Sequence, residues 1–170
     1  YMEYLYKYPQ NEFPYEDLKA TNRGRTMVDP EYEILDTGVF DKDEYFDINI
    51  TYAKQNPQDI YIKIDITNRG TKTAPITVLP TLWFYNRWAY TPDEPKPTLT
   101  WLSKTAVKAY HRRLGSYYFY FQYPDDCLFT ENETNQQKTT GVANETPFVK
   151  DAFHDAIIDG TNIKKLRAKK

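Results

Sequence analysis

The segment EYFDINITYAKQNPQDIYIKIDIT, residues 44–67, decides the fold. Phe46, Ile48, Ile50 and Tyr52 alternate with Tyr45, Asp47, Asn49 and Thr51. Ile60, Ile62, Ile64 and Ile66 then alternate with Tyr61, Lys63, Asp65 and Thr67. Successive side chains of a strand point to opposite faces, so a period of two predicts strands with one buried and one wet face. The link Lys54–Gln58 contains Asn56-Pro57, a turn signal. These are therefore paired antiparallel strands, and Asn68-Arg69-Gly70 ends the second.

The same reading extends outward. Tyr4, Tyr6 and Tyr8 share one side of an extended N-terminal segment. A short helix is predicted from Pro14 to about Asn22, with proline suited to the first turn and Gly24 just beyond the end. Residues 31–40 (EYEILDTGVF) read as a strand broken near Gly38, and residues 75–85 (PITVLPTLWFY) as one interrupted at Pro80. After a loop with Pro92, Pro95 and Pro97, strands resume at 98–109 and 116–123. In the latter, Tyr117, Phe119, Phe121 and Tyr123 line one face. A further strand is read at 125–131 and a polar loop at 132–147. Residues 148–158 fit a helical turn or a strand equally well.

The predicted fold class is mainly β: an antiparallel β-sandwich with short helical turns. It forms one domain over residues 1–160, with a basic tail over 161–170. Composition points the same way. Sixteen Tyr, nine Phe and three Trp make the chain 16% aromatic, and strands favour aromatic and β-branched residues. The chain starts at Tyr1 in mid-pattern, which reads as a piece of a longer polypeptide.

The net charge of −2 gives no basic field for nucleic acid, and no long apolar run enters a membrane. A single cysteine, Cys127, forms no intramolecular disulfide, which points to a reducing compartment, the cytoplasm. Its neighbours suggest an inert thiol. Only His111 and His154 are available as histidine ligands. Their surroundings match no metal-site spacing, and no nucleotide or cofactor motif is present, so no metal and no cofactor is expected.

Two groups carry candidate binding chemistry. Trp83, Asn86, Arg87 and Trp88 combine flat rings with hydroxyl-binding groups, which suits the apolar faces and polar rims of sugars. Glu131, Asn132, Glu133 and His154 add polar groups around a loop. Glu131, Glu133, Asp151 and Asp155 are also the carboxylates from which an acid–base pair would have to be drawn.

Five segments together carry a resemblance: YKYPQNEFPYEDL (6–18), YEILDTGVFDKDEYFDINITYAK (32–54), LPTLWFYNRW (79–88), LFTENETN (128–135) and FVKDAFHD (148–155). They resemble the N-terminal region of bacterial proteins related to mannosyl-oligosaccharide glucosidase, glycoside hydrolase family 63, from Tyr1 to about Asp159. The resemblance implies an N-terminal β-sandwich packed on a C-terminal (α/α)6 barrel that hydrolyses α-glucosidic bonds with inversion. Both catalytic carboxylates of such enzymes lie in the barrel, so none is carried over to this chain. The implied partners are that barrel and an oligosaccharide substrate, with 79–88 and 128–135 as candidate pocket wall or interdomain face. A free-standing carbohydrate-binding module is the alternative. A β domain separated from its barrel is expected to self-associate through the apolar surface so exposed.

Overall fold

The computed structural model describes residues 1–91, 93–122, 124–161 and 163–167. Expectations placed on Pro92, Tyr123, Lys169 and Lys170 lie outside the described residues. The protein is mainly β, with two three-stranded antiparallel sheets and a few short helices. Contacts cluster into two compact units, Tyr1–Leu79 and Pro80–Lys170.

The first unit holds strands β1 (Met2–Pro9), β2 (Tyr45–Asn56) and β3 (Asp59–Asn68), in the order β1-β2-β3. Both predicted strands of the 44–67 segment are present and paired. Ile48 faces Ile66, and Ile50 faces Ile64. Asn56 closes the hairpin, its Oδ1 accepting from the N–H groups of Gln58 at 2.8 Å and Asp59 at 3.0 Å. Asparagine side chains mimic a backbone turn in this way. On the far side of β2, Tyr4 pairs with Ile50 and Tyr6 with Ile48.

Because residues directly opposite share a face, this register sorts the sheet. One face carries Tyr4, Tyr6, Ile48, Ile50, Ile62 and Ile66. The other carries an ionic lattice. Asp47 accepts from Lys7 Nζ at 3.1 Å and Arg69 Nε at 2.6 Å, and Asn49 donates to Glu3 at 2.7 Å. The predicted helix is present as α1 (Tyr15–Gly24), but Pro14 sits at its N-cap rather than in its first turn, and Gly24 is its last residue rather than a stop beyond it.

Residues 31–40 do not form the expected strand. Ile34–Thr37 make a 3-10 turn, with Glu33 and Asp36 in a reciprocal capping box and Gly38 at φ 71°. Local side-chain caps and a left-handed glycine outcompete the strand propensity of Ile34 and Leu35.

The second unit holds β4 (Thr98–Ser103), β5 (Ala106–His111) and β6 (Gly115–Tyr120), in the order β4-β5-β6. The single strand expected over 98–109 is two. The chain reverses at Lys104-Thr105, where Ser103 Oγ accepts from the Thr105 N–H at 3.2 Å. Residues 73–86 form no strand. Pro75 and Pro80 each lack a donor, which leaves a ladder there with two gaps. The expected strand at 125–131 shrinks to one bridge, Leu128 with Arg167.

Within the loop 132–147, a short helix α2 (Gln136–Thr140) is capped by Asn135, whose side chain accepts from the Lys138 N–H. Of the ambiguous 148–158 stretch, the part from Ala152 is helical, α3 (Ala152–Ile158). It is followed by α4 (Ile163–Leu166). The basic tail is therefore not wholly solvated. Leu166 is 1% exposed and packs with Ala152 and Ala156, flanked by Leu128 and Phe148. Arg167 pairs with Asp126 at 2.5 Å.

Candidate functional site

The second unit brings the two predicted binding segments together. Trp101, Val107 and Phe119 occupy one face of its sheet by register. Trp101 meets Phe129 edge-on with centroids 6.4 Å apart, and Phe84 stacks on His111 at 6.1 Å. The segments around residues 84 and 129 are thus laid on this face by aromatic contact.

Asn132 then fixes their mutual register. Its Oδ1 accepts from the Phe84 N–H at 2.9 Å, and its Nδ2 donates to the Phe84 carbonyl at 2.8 Å. An asparagine amide satisfies both polar groups of one residue here, on a stretch that has no ladder to do so.

The neighbouring Glu133 anchors the rest. Trp88 Nε1 donates to its Oε1 at 2.9 Å, and Lys96 Nζ lies 2.6 Å from the same oxygen. The other oxygen, Oε2, is buried with no hydrogen-bond partner among the described residues, as are Asn86 Oδ1 and Glu94 Oε1. Burial alone pushes the Glu133 carboxyl up, but the hydrogen bonds from Lys96 and Trp88 outweigh it and hold the group below the usual range. Lys96 is raised by its hydrogen bond to Glu133, with Glu131 and Glu145 adding to the field.

The remaining predicted residues sit differently. Trp83 is 64% exposed, with Lys150 Nζ 5.7 Å from its ring centroid. Arg87 is exposed on the 3-10 turn Arg87–Ala89, which follows Asn86. Glu131 contributes its backbone, donating to the Phe148 carbonyl at 2.7 Å, while the residue is exposed. His154 stands exposed on α3 and takes no part in the bonds that join Trp88, Glu133 and Lys96. Asp151 instead accepts from Asn135 Nδ2 at 3.1 Å.

Three residues that complete the cluster, Lys96, Lys150 and Asn135, were not singled out in the sequence. Lys96 in a proline-rich loop and Lys150 in the turn before α3 carry no spacing signal. Asn135 was legible, since asparagine before a short polar helix is a favoured cap. Cys127 is half-buried, and burial pushes its thiol up, away from nucleophilic character. Among the described residues, no group of three or more His, Cys, Asp or Glu side chains is arranged to hold a metal ion. No helix of the described residues is long and apolar enough to cross a membrane.

The chain is similar to the uncharacterized protein YMR196W of Saccharomyces cerevisiae. The two are 30% identical over 196 aligned positions, which take in 94% of this chain and 18% of that protein. The chain thus spans under a fifth of the length of the curated relative it matches. No protein-family model matches it, and no solved structure does.

Proposed function

We propose that this chain is a non-catalytic accessory β domain of a larger sugar-processing polypeptide, an α-glucosidase resembling glycoside hydrolase family 63, whose reaction belongs to a separate (α/α)6 barrel. In this reading the domain supports the barrel, and the Trp88–Glu133–Lys96 cluster stands at the wall of its sugar pocket.

The observation that carries the proposal is the open apolar face of β1-β2-β3. Tyr4, Tyr6 and Ile62 remain about half exposed there, whereas the opposite face is the one knitted by ions. A sheet with one apolar face buries that face against another element, and an exposed patch of that kind marks an interaction surface. The length of the yeast relative, of which this chain matches 18%, is consistent with a large neighbouring region.

Glu133 does not suit the role of general acid. A general acid needs a raised carboxyl, and Lys96 and Trp88 hold this one ionised. The alternative, a free-standing carbohydrate-binding module, draws on the exposed ring of Trp83.

A panel of α-glucosides, offered to this chain and to the longer polypeptide proposed to contain it, tests the proposal. Cleavage by the long form alone is expected. Cleavage by the 170-residue chain would overturn it.

A further inference from the structure

We propose that the outward face of the β4-β5-β6 sheet is a binding platform for a linear, neutral oligosaccharide. The register puts Thr100, Lys108 and Tyr118 in one row across the three strands, with Tyr110 opposite Ser116 in the next. Tyr120 extends the same face along β6, because residues two apart in a strand share a side. This is the reverse of the face covered by Phe84 and Phe129. The Trp88–Glu133 cluster and this surface are separate features of the unit.

Three tyrosines on one outward face need an explanation. Tyr110 is 47% exposed, Tyr118 51% and Tyr120 73%. The rings of Tyr118 and Tyr120 lie 6.3 Å apart and within 23° of parallel, which makes a short flat row. Such rings offer large, rigid, amphipathic contact area at small cost in side-chain freedom.

The surrounding chemistry selects the ligand. Thr100, Ser116 and the phenol groups donate and accept hydrogen bonds, and Lys108 is the single charge in these rows. A pyranose has a C–H face to lie on a ring and a rim of hydroxyls to meet such groups. Single-stranded nucleic acid also stacks on aromatic rows, but its phosphates require a cationic groove. One lysine on a chain of net charge −2 does not provide that. The inference rests on the carbohydrate-binding alternative above and not on a catalytic partner, so its failure leaves the accessory-domain reading to the α-glucoside test.

Isothermal calorimetry with maltohexaose, cellohexaose and mannohexaose, each added to the 170-residue chain, is the test. At least one is expected to bind, and saturation-transfer NMR should place it on tyrosine ring protons. The double substitution Tyr118→Ala/Tyr120→Ala should weaken binding about tenfold or more, equivalent to about 1.4 kcal/mol. Tyr61→Ala, an exposed tyrosine of the other sheet, should leave it unchanged. If the double variant does not fold, the NMR contacts of the unmodified chain decide. No binding of any of the three sugars overturns the proposal. So does binding that perturbs the Trp88 indole and spares the tyrosines, or binding of an oligouridine in place of the sugars.

Discussion

The side-chain amide of Asn132 forms a two-point hydrogen-bonded pair with the backbone of Phe84, 48 residues earlier in the chain. The stretch from 73 to 86 has no ladder, so this pair does for Phe84 what a neighbouring strand would do. Asn132→Ala strands both backbone groups in a part-buried setting. It should cost about 2–3 kcal/mol, from the typical penalty of leaving such groups unmade. A urea denaturation midpoint measures this. An unchanged midpoint would mean that the aromatic contacts alone hold the segment.

The Glu133 carboxyl gives the second unit an acid-sensitive joint. Its folded-state value lies below its ordinary 4.5. A depressed carboxyl contributes stability that is fully present above the unfolded value and is lost as pH falls through the lower, folded value. The stability advantage of the unmodified chain over Glu133→Gln should therefore hold at neutral pH and shrink on acidification below about pH 4.5. Thermal melts of the two proteins from pH 7 to pH 3 would show it. Parallel curves at all pH values would remove the role assigned to Lys96 and Trp88.

Asp47 ties β1 to the end of β3 across the central strand, taking Lys7 from one side and Arg69 from the other. The Arg69 hydrogen bond is the main reason its carboxyl lies below the usual range. Both cations are about half exposed, so salt screens the pairs. Asp47→Asn should lower the melting temperature at low salt, with the difference from the unmodified chain narrowing in 1 M sodium chloride. Amide exchange should quicken first along β1. A difference that ignores salt would point to packing as the source of the effect.

The apolar face of β1-β2-β3 should make the isolated chain associate as concentration rises. Sedimentation velocity of the unmodified chain is expected to show a growing larger species. Ile62→Lys, a charge placed on that face at an exposed position of the edge strand β3, should shift the chain toward monomer. A chain that stays monomeric at high concentration would contradict the open-face reading.

What could be read from the sequence depended on how local the deciding physics was. The hairpin of β2 and β3 was legible down to its turn, because sheet burial imposes a period of two and Asn56-Pro57 marks the reversal. The grouping of residues 83–88 with 131–133 was suggested by chemistry, but the contact itself rests on Asn132 reaching Phe84, which no periodicity encodes. Residues 31–40 misled because Ile34 and Leu35 suit a strand, while the capping box of Glu33 and Asp36 works at a range of three residues. The buried position of Leu166 was hidden by the lysines around it. A single apolar residue in a basic run gives no pattern, yet it closes the small core of Ala152 and Ala156.

Hydroxyl-radical footprinting of the apolar sheet face tests the central claim most directly. Tyr4, Tyr6 and Ile62 would be labelled in the 170-residue chain and in the longer polypeptide proposed to carry it, with exposed Tyr61 on the opposite face as the internal standard. Strong labelling in the short form and protection in the long form, at unchanged Tyr61, is the predicted result. Equal labelling of the face in both forms would contradict the account, because nothing would then cover the surface on which the accessory role rests.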